Sequence, residues 1–144
     1  MHEFDLDHRS FSWQDRRSRE QFSSIILRHC TPETHPRVAD LLSGNYSGAK
    51  IVAELGWKPE NITCIDLSPA DAPLVEGVRF VQADLRQVAC FTNEPKYLPQ
   101  EIAELRGMFD VVLVFGNAGI LNRKEGETLT DFFGNGKHYS LTTF

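Results

Sequence analysis

Cysteine is scarce in this chain. Cys30, Cys64 and Cys90 are the three found in 144 residues, an odd number with no Cys-x-x-Cys pair. That excludes a disulfide framework and a zinc ribbon, and leaves them as small buried apolar side chains. Long hydrophobic runs are missing too: no stretch approaches the roughly 20 apolar residues that span a bilayer, so no membrane partner is expected. Met1-His2-Glu3 does not open a signal peptide, and the reading is a cytoplasmic protein. Nor is there an excess of basic charge. Fifteen Lys and Arg stand against twenty Asp and Glu, a formal net charge of −5, so the overall field does not favour nucleic acid. The compact basic cluster Arg16-Arg17-Ser18-Arg19 reads as the solvated face of a helix. His29, Cys30 and His35 fit no structural zinc spacing, and Pro32 and Pro36 mark that segment as a linker, so no metal is expected.

What is present is the material of one domain with a real core. Residues 1–10 are polar and acidic and read as a loose end, followed by a helix to about His29 with Phe22, Ile25, Ile26 and His29 on one face. His29 there reads as a core histidine. Residues 1–36 thus form a tail and helix, and 37–144 a core that alternates strand and helix. The strands are Arg37–Leu42, Ile62–Asp66, Val78–Ala83, Asp110–Phe115 and His138–Phe144. One helix follows over Gly48–Leu55 with Gly56 as its stop, and another opens at Pro99 with Leu98, Ile102 and Leu105 on its buried side. Trp57–Asn61 reads as a loop, and a weak helix precedes the last strand. Continuous rather than alternating apolar strands require a sheet covered on both faces. The fold class is therefore α/β, a doubly wound, mostly parallel sheet of about five strands.

In such sheets ligands bind at the carboxyl ends of the strands, near the point where strand order reverses. Asp40, Asp66 and Asp84 each close a strand, and three such acids at one rim of the sheet suit the hydroxyls, ammonium or amine of a ligand better than they suit packing.

The segments "VADLLSGNYSG", "ITCIDLSP", "VRFVQADL", "FDVVLVF" and "GNGKHYSLTTF" resemble, in that order, the first five strands of the class I S-adenosylmethionine-dependent methyltransferases. The resemblance runs over about 37–144. It implies S-adenosylmethionine as cofactor. Asp40, Ser43, Gly44 and Asn45 would lie against its methionine end, Asp66 would take the ribose hydroxyls with Leu67 on adenine, Asp84 and Leu85 would read the adenine amine, and Phe115 would form the floor beside the sulfonium. It names no methyl acceptor and no catalytic residue. The family's alternate glycines would fall at 42, 44 and 46, where this chain has Leu42, Gly44 and Tyr46. The usual last antiparallel strand pair is absent, which would leave the fifth strand as an open edge that invites a homodimer.

A second reading is an NAD-binding short-chain dehydrogenase, from Ser43-Gly-Asn-Tyr-Ser-Gly48-Ala-Lys50 and Asn117-Ala-Gly119. Lys50 in place of the third glycine and the lack of a Tyr-x-x-x-Lys pair after Asn117 count against it. A third is a methyltransferase-like binding subunit without catalysis.

Overall fold

The computed structural model describes residues 2–5, 16–41, 47–67, 75–115 and 121–143. Six strands, β1 His2–Asp5, β2 Val38–Leu41, β3 Ile62–Asp66, β4 Arg79–Gln82, β5 Phe109–Phe115 and β6 Gly134–Thr143, form one sheet. Its order is β1-β6-β5-β2-β3-β4, and every pairing is parallel. The helices are α1 Arg16–His29, α2 Ser47–Glu54, α3 Leu85–Phe91, α4 Gln100–Ala103 and α5 Arg123–Phe133. The doubly wound α/β architecture is thus as the strand patterns imply. From β2 the chain steps outward to β3 and β4, then returns to the other side of β2 as β5 and β6, so the order reverses between β2 and β5.

The pleat sorts the core into two layers. Val38, Ile62, Cys64, Val111 and Leu113 face one way and pack with Phe22 and Ile26 of α1 and Ala49 and Val52 of α2. Ala39, Leu41, Ile65, Val112 and Val114 face the other and meet Val88 of α3, Ile102 of α4 and Leu129 and Phe133 of α5. The central strands are buried on both sides, which is why they read as unbroken apolar runs.

Several local signals end and start these elements. After α2, Gly56 takes φ +113° while its N–H bonds to Ala53 O and that of Trp57 to Val52 O, a paired arrangement that closes a helix on glycine. Before α5, the Asn122 side chain accepts from Glu125 N at 2.7 Å and the Glu125 carboxylate accepts from Asn122 N at 3.1 Å. This reciprocal cap is legible in Asn-Arg-Lys-Glu as a polar residue three before an acid, and it shows the helix before the last strand to be well anchored.

Four expectations need correction. Residues 2–5 are not a loose end but β1, an edge strand on β6. Pairing of this kind satisfies the backbone groups that β6 would otherwise expose, and it leaves no mark in side-chain periodicity. The fifth core strand is therefore not the sheet's open edge, and the homodimer inferred from that edge loses its ground. His29 is exposed and stacks on Tyr139 with ring centroids 4.9 Å apart, so it is no core histidine. Trp57, read as a loop residue, is 1% exposed, and its indole N–H donates to His35 O at 2.7 Å.

At the amino-terminal rim, Asp110 fastens three strands. Its Oδ2 accepts from Arg37 N at 2.9 Å ahead of β2, and its Oδ1 from Asn135 Nδ2 at 2.6 Å in β6. Burial, with Asp110 as a second cause, pushes the nearby Cys30 thiol up to about 12, which makes it unreactive. Asp110→Ala removes both bonds and is expected to cost about 1–3 kcal/mol. The urea midpoint reads this; an unchanged midpoint would show that solvent replaces both bonds freely.

Candidate functional site

Asp40 stands on β2, beside the point where strand order reverses, Asp66 one strand away on β3 and Asp84 just past β4, and they do not form one row. Asp40 pairs in register with Cys64, two residues before Asp66 on β3. Asp66 pairs with Gln82, two residues before Asp84. The three acids expected at one rim therefore climb in steps of two residues from strand to strand. Each sequence pattern places an acid relative to its own strand; the offset between neighbouring strands is set by sheet packing, which a single strand does not record.

The pleat puts Asp40 and Asp66 on one face. Both lie two residues from inward-facing positions of the layer under α1 and α2, Val38 in one case and Cys64 in the other. Asp40 is 2% exposed. Its Oδ2 accepts from Ala49 N in the first turn of α2 at 3.1 Å. Gly48 is what allows α2 to approach: a Cβ there would fall 2.8 Å from Asp40 Oδ2, closer than real contacts allow. The glycine pattern of the family resemblance did not include Gly48, and its closeness to Asp40 is its signal.

Burial, offset by the Ala49 N–H and reinforced by the charge of Asp66, pushes the Asp40 carboxyl up to about 7. The unfolded group titrates near 3.9, so the folded chain holds the proton more tightly. The stability this adds is fully present below about pH 4 and is lost as the pH rises through about 7, a change on the order of a few kcal/mol. The unfolding free energy is expected to fall between pH 5 and pH 8, and Asp40→Asn is expected to flatten that fall. Burial lowers the pKa of His138 and gives a slope of opposite sign, but it is common to both chains and leaves their difference intact. Parallel curves would contradict the reading.

Asp66 ends β3 partly exposed, with Oδ1 accepting from Leu67 N at 2.7 Å. Leu67 follows, 55% exposed, and Gln82 Nε2 donates to its carbonyl at 2.9 Å. A carboxylate beside an outward apolar side chain is suited to a ligand with hydroxyls next to a flat ring.

Asp84 is placed differently. It stands past β4 as the N-cap of α3, accepting from Arg86 N at 3.0 Å. For this acid the capping role is observed. α3 itself had no counterpart in the sequence reading, although Asp84 followed by Leu85 and Val88 at helical spacing was its signal. The Leu85 side chain is 3% exposed and packs in the layer with Val88 and Ile102. Ser43, Gly44 and Asn45 lie outside the described residues, as does Asn117. Phe115 closes β5 at the switch point; its side chain lies outside the description.

Among the described residues no group of three or more His, Cys, Asp and Glu is placed to hold a metal ion. No helix there is long and apolar enough to cross a membrane.

No family model matches the chain, and no curated protein does. Among solved structures it is similar to one described as the crystal structure of a SAM dependent methyltransferase from Archaeoglobus fulgidus, at 19% identity and a TM-score of 0.44. The match covers 84% of this chain and 48% of that one, so the chain spans about half of that protein's length.

Proposed function

We propose that this chain binds S-adenosylmethionine and belongs to the methyl-transferring side of the nucleotide-binding α/β folds. The observation that carries the reading is the Asp66–Leu67 pair, a partly exposed carboxylate and an outward apolar side chain at the carboxyl end of β3, one strand from the switch point. Asp66 takes the ribose hydroxyls as an acceptor, and Leu67 covers the adenine. Asp40, with α2 drawn against it at Gly48, supplies negative charge for the cationic methionine end. Asp84, engaged in capping α3, retains a second carboxylate oxygen as its means of reaching the adenine amine.

The bound cofactor supplies a methyl group on a sulfonium, already an excellent leaving group. The chain's own part is then to orient, to exclude water and to place an acceptor in line. A general base is needed only when the acceptor loses a proton on attack, and the methyl acceptor is left open.

An NAD-binding reading draws on the same Asp66 and on the wholly parallel sheet. Against it stands the short connection from β5 to β6, whose helix α5 has 11 residues, less than the long helix of short-chain dehydrogenases. Equilibrium titration of the purified chain with S-adenosylmethionine, S-adenosylhomocysteine and NAD tests the assignment. Saturable binding of the first two is expected. Binding of NAD alone would overturn it, and binding of none would favour a methyltransferase-like subunit without catalysis.

A further inference from the structure

Two like charges share one face of the sheet at the proposed cofactor site. The side of Asp40 toward α2 is closed by Gly48 and Ala49, and its register partners on β3 and β5 are Cys64 and Leu113. Among the described residues, the charged group that acts on it is Asp66. Lys50, the basic residue of α2, is exposed. A buried carboxyl with an acid as its charged neighbour is poorly suited to ionisation while the ligand is away, because desolvation and like-charge repulsion act in the same direction. An incoming cation reverses both effects.

We propose that the cationic end of the ligand replaces a proton held by Asp40, so that cofactor binding releases a proton to solvent. This rests on the cofactor reading above. The balance is simple: the Asp40 carboxylic acid loses its O–H proton to buffer, no other bond changes, and the ligand's ammonium or sulfonium group compensates the carboxylate left behind. Burial of Asp40 then becomes a selectivity device. A neutral ligand of the same shape gains nothing from displacing the proton, so the site favours a charged occupant, and favours it more as the pH rises toward neutrality.

The test is calorimetric titration of the full chain with S-adenosylhomocysteine at pH 6 in two buffers of different ionisation enthalpy. It is paired with carbon-detected NMR of the aspartate carboxyls, the Asp40 signal being assigned by its loss in Asp40→Asn. Expected are an observed enthalpy that differs between the buffers by most of one released proton, and an Asp40 signal that titrates near neutrality in the free chain but stays ionised at pH 6 in the complex. Ligand binding with buffer-independent enthalpy, or an Asp40 signal already ionised at pH 6 in the free chain, overturns the proton exchange and leaves the cofactor reading standing. Absence of any ligand-induced spectral change or heat overturns the cofactor reading and the exchange with it.

Discussion

Asp66→Ala is expected to weaken S-adenosylhomocysteine binding roughly tenfold to a hundredfold or more, with thermal stability almost unchanged. The carboxylate ends β3 partly exposed, so its loss opens no cavity. Its bond to the neighbouring Leu67 N is replaced by water, because Leu67 lies at the surface. On the proposed reading a charged acceptor for a ribose hydroxyl disappears, and one such bond is worth about 1.5–3 kcal/mol. Calorimetry and a thermal melt on the same preparation separate the two effects. Unchanged affinity would count against the whole cofactor assignment, and loss of folding would mean that Asp66 serves the scaffold.

The largest effect on stability is expected at Trp57. Trp57→Ala should cost about 3–5 kcal/mol, the range for deleting a large buried aromatic side chain. The indole is 1% exposed and packs with α1, α2 and the strands above it. Trp57→Phe keeps much of that burial while losing the N–H bond to His35 O at 2.7 Å, and should cost about 1–2 kcal/mol. Chemical unfolding of the three chains gives the order wild type, Phe, Ala. A phenylalanine variant as unstable as the alanine one would show that the bond to the 31–36 linker, not packing, holds the segment in place.

Trp57 also marks where the sequence was legible and where it was not. The central strands announced themselves because a strand buried on both faces must be apolar throughout, as Val111 to Val114 are. Helix ends written in glycine or in capping residues, such as Gly56, were equally open to reading. Trp57 carried no such sign: it stands alone after a helix stop, and its burial depends on α1 arriving from far away in sequence. β1 escaped notice for a related reason, since its pairing is between backbones. At the site, Asp40 and Asp66 are identifiable as strand-end acids, but the two-residue steps between strands are not, and Asp84 has the further task of capping α3 with one carboxylate oxygen. Gly48 shows the complementary case, a glycine whose necessity appears only when the carboxyl opposite it is located.

The pairing of β1 with β6 has a consequence for the order of assembly. His2 lies opposite Ser140 and Asp5 opposite Thr142, so β1 can dock only once β6, far along the chain, has been made. Closing so long a loop is slow and entropically costly. This edge of the sheet is therefore expected to form late in folding.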